Sequence, residues 1–303
     1  MKKTAAVILA LTIIMALCAC GSKAQTQTTP APTQSAQTQT YPQLVKSGDT
    51  VKADLDGDGT AEEICLNTTD KSPDTQPAIT SFKINGTELA DSIYEAGYSS
   101  NTPEDSYYAI TDIDAADGKL EIAVMDYGPS DDLYTGFFRW DGKAIQYLGA
   151  VSGILPGVMQ SNNADGYDVS GVTFDGKGVI HSYVRLDVLQ TWFASADSKL
   201  GSDGKLAVVP QALYYPVGGK TYPVTALNDV TLYAKNDLKS ETTTLKTGEK
   251  LTITATDNAQ WVLAENAAGA ECWLHLSEGG QSVDTPAGAV YASQAFDGLV
   301  FAD

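Results

Sequence analysis

Histidine is almost missing from this chain: His181 and His275 are the only two in 303 residues. A histidine-based metal cluster cannot be built from two residues alone. His181 falls on the alternating face of Gly178–Leu186 shared with Tyr183, Arg185 and Asp187, as a surface strand residue would, and His275 reads as structural. Positive charge is also scarce, with 19 Lys and Arg against 38 Asp and Glu and a net charge of −19. That balance excludes a nucleic-acid partner, whose phosphates need basic side chains. Cysteine is limited to four residues. Cys65 and Cys272 lie far apart, each inside a strand-like apolar pattern, and read as buried free thiols rather than a disulfide framework. Cys65 has no neighbouring histidine, the opposite of an activated thiol's setting. No Gly-x-Ser-x-Gly elbow, Ser-x-x-Lys pair or phosphate-cradling glycine loop occurs. Helical periodicity is weak throughout.

The amino terminus is distinctive. Lys2 and Lys3 precede a short apolar run, Ala5 to Leu17, below the ~20 residues a spanning helix needs. It ends in Leu17-Cys18-Ala19-Cys20-Gly21-Ser22, which resembles a bacterial lipobox with Cys20 as the lipidated residue. The resemblance implies cleavage after residue 19 and a multi-acyl anchor, the kind that stable membrane attachment requires. Residues 20–41 are Gln/Thr/Ala/Pro-rich, carry only Lys23 as a charge and cannot bury a core, so they read as a disordered tether.

The richest stretch is Asp54-Leu55-Asp56-Gly57-Asp58-Gly59-Thr60-Ala61-Glu62-Glu63. Alternating aspartates separated by glycines form a compact set of oxygens, and calcium takes 6–8 oxygen ligands. An EF-hand needs a bidentate glutamate at the twelfth position, where this chain has Cys65. The ligand set must therefore close earlier, at Glu62 or Glu63. The competing reading is an acidic Asx-type turn with no stable metal.

From residue 42 to about 216 the pattern is strands and tight turns. Ala78–Ile84 alternates and meets Asn85-Gly86, a strong hairpin signal. Asp-Gly-Lys recurs at 117–119, 141–143, 175–177 and 203–205, each beside an apolar run, which predicts a meander of hairpins with type I′ turns. A second acidic loop, Asp112 to Ile122, can be laid over the first so that Asp112, Asp114 and Glu121 fall on Asp54, Asp56 and Glu63. It lacks both glycines of the first turn and has Ala116 in place of Asp58, so it is expected to hold its shape by side-chain-to-backbone bonds.

These two loops and the Glu-Glu-Ile and Leu-Glu-Ile-Ala-Val segments after them resemble the VCBS/FG-GAP (integrin-α-like) calcium-loop repeats of surface lipoproteins. The resemblance implies a β-propeller-like module with calcium held by Asp54, Asp56, Asp58, the Thr60 carbonyl and Glu62, whereas the recurring turns by themselves predict an all-β fold that is either propeller-like or an antiparallel sandwich. Residues 221–276 resemble a small bacterial SH3-like barrel of five short strands, following a boundary at Pro216-Val217-Gly218-Gly219. That likeness implies a ligand groove at Tyr233, Trp261 and Trp273. Residues 277–303 read as a linker and an apolar tail that docks on the rest.

Together these features point to a non-enzymatic lipoprotein on the outer face of a bacterial membrane. It is expected to bind calcium and to engage cell-wall peptidoglycan or a surface glycan or protein. Two alternatives stand beside this. One is an exported glycan hydrolase using acids of the 126–132 loop (Asp126, Asp131, Asp132), near a concentration of tyrosines that includes Tyr94, Tyr98, Tyr107, Tyr108, Tyr127 and Tyr134. The other is a purely structural envelope protein.

Overall fold

The structure is a computed structural model, and it describes residues 40–69, 78–95, 107–126, 133–158 and 171–301. Cys20, the tether up to residue 39, Tyr98, Tyr127, Asp131 and Asp132 lie outside the described residues. From Thr40 onward the chain is one compact unit. It is built from antiparallel strands, as the alternating apolar patterns require, and among the described residues no sheet closes into a barrel. The all-β expectation holds in its sandwich form.

In chain order the first half carries β1 (Gln43–Lys46), β2 (Thr50–Ala53), β3 (Glu62–Thr68), β4 (Ile79–Ile84), β5 (Thr87–Glu88) and the short helix α1 (Ala90–Glu95). There follow β6 (Tyr107–Thr111), β7 (Glu121–Asp126), β8 (Tyr134–Trp140), β9 (Ile145–Ser152), β10 (Thr173–Phe174), β11 (Val179–Leu186), β12 (Trp192–Leu200) and β13 (Leu206–Val208). Strands β2 to β5 make a four-stranded meander. A larger sheet runs β1-β6-β7-β8-β9-β11-β12-β13, with β10 beside β11.

The alternation of side chains explains how these layers stack. From β6, β7 and β8, Tyr108, Ile110, Ile122, Val124, Phe138 and Trp140 face the four-stranded sheet and bury its Ile64, Leu66, Phe82 and Ile84. The intervening Ala109, Ala123, Met125 and Phe137 face the other way and pack with Leu148, Val151, Val172 and Ile180. Strand β7 is therefore buried on both faces, which is why Glu121–Asp126 reads as an unbroken apolar run between acids. At ~25 cal/mol per Å² of apolar surface removed from water, burial at these two interfaces favours the folded state.

The Asp-Gly-Lys turns do join neighbouring antiparallel strands, 117–119 linking β6 to β7, 141–143 β8 to β9, 175–177 β10 to β11 and 203–205 β12 to β13. Their geometry differs from the expected type I′. None of the four aspartates has a positive φ; only the following glycine does (Gly118 69°, Gly142 86°, Gly176 67°, Gly204 72°). The reason is that each aspartate Oδ1 accepts the N–H of the lysine two residues on, at 2.7–3.0 Å, which holds the aspartate in an Asx-type turn. Type I′ geometry is found at Asn85-Gly86, where both residues have positive φ (50° and 77°).

The second half carries β14 (Tyr222–Ala226), β15 (Val230–Tyr233), β16 (Thr242–Leu245), β17 (Lys250–Thr256), β18 (Trp261–Asn266) and β19 (Glu271–Ser277). It ends with β20 (Ser282–Thr285), β21 (Gly288–Tyr291), α2 (Ala292–Ala295) and β22 (Phe296–Asp297). The long stretch Thr244–Ile253 is thus two strands, broken where Gly248 takes a φ of 86°. The Gly/Ser-rich stretch after Leu276 also joins the sheet: β20 pairs with β19, and β21 with β20. The apolar tail docks as expected, Phe296 being 2 % exposed and paired opposite Ala226. One core unites this half with the first. Leu186, Val188, Leu189, Trp192 and Ala194 pack with Tyr222, Val224, Ile253 and Leu274.

Candidate metal centre

Hairpin β2–β3 presents the acidic loop. Ala53 pairs with Glu62, so the eight residues 54–61 span the turn. Within it Asp54 Oδ1 accepts Gly57 N–H (2.9 Å) and Asp54 Oδ2 accepts Gly59 N–H (2.9 Å). Asp56 Oδ1 accepts Asp58 N–H (3.2 Å), and Asp58 Oδ1 accepts Thr60 N–H (2.7 Å). Both glycines have positive φ (77° and 88°), which lets the chain curl around its own carboxylates. The result is that one carboxylate oxygen from each of Asp54, Asp56 and Asp58 lies within 4.8 Å of the others. Two oxygens bound 2.3–2.6 Å from one calcium are at most about 5 Å apart, so the three fit a single ion of that size. These three aspartates can hold a metal.

The other two expected ligands are placed differently. Glu62 is not one of this group. It is 5 % exposed, and its Oε2 accepts the N–H of Leu55 at 2.8 Å, so its carboxylate braces the start of the loop from beneath. Thr60 is exposed at the loop's far end.

Hairpin β6–β7 repeats this frame. Thr111 pairs with Glu121 as Ala53 pairs with Glu62, and Glu121 Oε2 accepts Ile113 N–H at 3.1 Å as Glu62 accepts Leu55. Leu55 and Ile113 are both fully buried. The structural equivalent of Glu121 is therefore Glu62, not Glu63, and the second loop is one residue longer. A register read from aspartate spacing alone misses this insertion because it lies between the acids and the brace. The second loop holds its turn as expected, Asp114 Oδ1 accepting Ala116 N–H (3.1 Å) and Asp117 Oδ1 accepting Lys119 N–H (2.9 Å). It also has its own cation. Arg139 on β8 bonds Glu121 Oε1 through Nε (3.0 Å) and Nη2, and reaches Asp117 Oδ2 at 3.0 Å.

The loops interlock. Leu120 N–H donates to Leu55 O (3.0 Å), Gly178 N–H to Ile113 O (2.8 Å) and Ala115 N–H to Gly176 O (3.1 Å). A Cβ on Gly57 would stand 2.4 Å from Gly118 O, and one on Gly142 2.9 Å from Asp56 Oδ2. Four turns thus meet at one end of the fold and gather their carboxylates there. Burial, neighbouring carboxylates and backbone N–H groups shift the ionisable groups here. Burial first, then Asp117 and Asp114, push the Asp112 carboxyl above its ordinary range. Burial, then Asp112 and Asp54, raise the Tyr41 phenol. Asp141, fully exposed, is lowered by the backbone N–H groups of Ala144 and Lys143.

Among the aromatic groove residues, Tyr233 and Trp261 meet edge to face at 5.3 Å, and Trp273 pairs opposite Tyr233 across the β15–β19 ladder. Sequence reasoning missed two partners. Asp284 Oδ2 accepts the Tyr233 hydroxyl and lies against His275 Nδ1, both at 2.8 Å, and the His275 ring stands 4.9 Å from Trp261. Burial and Asp284 push Tyr233 up to about 12. Asp284 comes from β20, inside the stretch read as a linker, so no spacing signal could have found it.

Of the acids considered for glycan hydrolysis, Asp126 is fully buried at the end of β7. His181 stands half exposed on β11 with Nδ1 2.7 Å from Asp197 Oδ1. Cys272 is buried and Cys65 partly exposed, and both are free thiols, so only Cys272 takes the buried position expected of both. Among the described residues no helix is long and apolar enough to cross a membrane. No family model matches the chain, and no curated protein or solved structure is similar to it.

Proposed function

We propose that this protein is a lipid-anchored, extracytoplasmic binding module whose first acidic hairpin is stiffened by one calcium ion. The observation that carries this reading is the convergence of Asp54, Asp56 and Asp58 on one point from a loop already curled by its own hydrogen bonds. Calcium, when bound, supplies the positive charge that the loop lacks. The residues of the chain do the rest: Glu62 braces Leu55, and Gly57 lets the loop seat against Gly118. The hairpin so fixed presents a rigid rim. Recognition of cell-wall peptide or surface glycan is assigned to the second half, where the partly exposed indoles of Trp261 and Trp273 lie with the buried Tyr233 beside Asp284 and His275. The module performs no chemistry of its own in this reading, and Cys20 holds it to the membrane.

Thermal unfolding of residues 40–303, titrated with calcium and then with chelator, tests the metal. Extracellular sites of this kind bind at roughly 10⁻⁴–10⁻³ M. At 1 mM calcium and a Kd of 10⁻⁴ M the stabilisation is about 1.4 kcal/mol, or a rise of about 2–3 °C in Tm. Asp56→Ala should abolish the rise. An equal rise in Asp56→Ala, or none in the parent, removes calcium from the reading.

A further inference from the structure

We propose that the cavity between the β11–β12 connection, α2 and the carboxy-terminal segment is a binding site for a neutral saccharide. It is open to solvent, has a volume of about 490 Å³ and is lined by Asp187, Gln190, Thr191, Ser293, Tyr291 and Phe301 among others. Small-ligand sites commonly fall between about 300 and 1,000 Å³.

Three independent features converge there. The first is backbone strain. Leu186 pairs with Trp192, so five residues turn the chain, and Leu189 among them takes a φ of 67°. A bulky residue rarely adopts that left-handed conformation, and such strain concentrates at ligand sites. Leu189 is held in it by its N–H bond to Gly280 O at 2.8 Å and by burial. The second is an unsatisfied amide. Gln190 is 1 % exposed; its Oε1 accepts Val300 N–H (3.1 Å), but its Nε2, closed to solvent, has no hydrogen-bond partner among the described residues. Buried amide hydrogens are rarely left so, because the desolvation is uncompensated. The third is aromatic exposure. Tyr291 and Phe301 are 56 % and 62 % exposed, beside Val300 at 39 %. Large apolar side chains gathered at a cavity mouth mark a contact surface.

The chemistry selects the ligand. Among the described residues no lysine or arginine lines the cavity, which disfavours a phosphate or carboxylate. The carboxylate of Asp187 is countered by Arg185 Nε at 3.5 Å and accepts the Thr191 hydroxyl at 3.3 Å, so no uncompensated charge awaits a cation. What remains is two exposed aromatic rings beside hydroxyl and carboxylate groups. A pyranose matches that set, with an apolar C–H face to lie on a ring and hydroxyls to bond at its edge.

The site goes beyond the reading above: it shares no lining residue with the Tyr233–Trp261–Trp273 face and uses no calcium ligand. The test is isothermal titration calorimetry of the full chain in 1 mM calcium with chitohexaose, cellohexaose, maltohexaose and an uncharged tetrapeptide. At least one hexasaccharide should bind. Tyr291→Ala and Phe301→Ala, both trimming exposed side chains, should each weaken it about tenfold with Tm unchanged, and Gln190→Met should weaken it as well. Asp56→Ala should leave saccharide binding in place, so failure of the calcium reading and failure of this one are told apart. The proposal is overturned if no hexasaccharide binds, if only the tetrapeptide binds, or if the Tyr291→Ala/Phe301→Ala pair binds as tightly as the parent.

Discussion

Replacing Arg139 with methionine isolates the charge that the second hairpin carries for itself. Glu121 is fully buried, and its Oε1 is bonded by Arg139 while its Oε2 takes Ile113 N–H. Arg139→Met keeps most of the side chain's bulk and strands the carboxylate. Removing one partner of a buried pair costs roughly 3–5 kcal/mol. A unit of this size unfolds with an entropy of about 0.5 kcal/mol per degree, so Tm should fall by about 6 °C or more at pH 8. The dependence on pH is the sharper check. Burial already pushes the Glu121 carboxyl above its ordinary range, against the pull of Arg139. A carboxyl raised in the folded state favours folding at low pH, and that contribution is lost as pH climbs from the unfolded value through the folded one. Without Arg139 the rise is larger, so the gap between variant and parent should be wide at pH 8 and narrow toward pH 5. Glu121→Gln/Arg139→Met, which keeps an acceptor for Ile113, should recover all but about 1 kcal/mol. Differential scanning calorimetry at both pH values measures this. A gap that is the same at pH 5 and pH 8, or a double variant no better than the single, would refute the reasoning.

Gly57→Ala should destabilise by about 2 kcal/mol or more, seen as a lower urea midpoint, because its φ of 77° is unfavourable to a side chain and the new Cβ would strike Gly118 O. Tyr108→Phe should cost about 1–2 kcal/mol in the same assay, since its buried hydroxyl shares its one hydrogen between Asp49 O and Ile64 O, at 3.2 and 3.1 Å, and ties β6 to the four-stranded sheet. Burial pushes the Cys272 thiol up to about 11, so at pH 8 iodoacetamide should modify it only after unfolding, as read by peptide mass mapping.

Local chemistry was legible in the residues wherever the signal is short-range. The hairpin at Asn85-Gly86, the meander of Asp-Gly-Lys turns and the curl of Asp54–Thr60 depend on neighbours two to five positions apart, and each is present. Turn type was misread because an aspartate's own carboxylate outcompetes the backbone preference of the Asp-Gly pair. Glu62 was legible as important but not as a brace, because that role depends on which face of β3 turns inward. The long-range partners were out of reach. Arg139 meets Glu121 and Asp117 across strands, Asp284 meets Tyr233 from 51 positions away, and Gln190 meets Val300 from 110. No periodicity encodes such pairings.

The shared frame of the two acidic hairpins makes each the other's control. The same glutamate brace and the same buried apolar residue stand under both loops, so the scaffold is held constant. What differs is the source of countercharge: one loop gathers three carboxylates with no arginine bonded to them among the described residues, and the other is wired to Arg139. Salt, chelator and pH therefore become a differential probe read within a single molecule. A perturbation acting on ion supply should move only the Asp54 loop, and one acting on the brace should move both. Exchanging the two loop sequences between their hairpins would show whether dependence on an ion travels with the eight residues or stays with the strands.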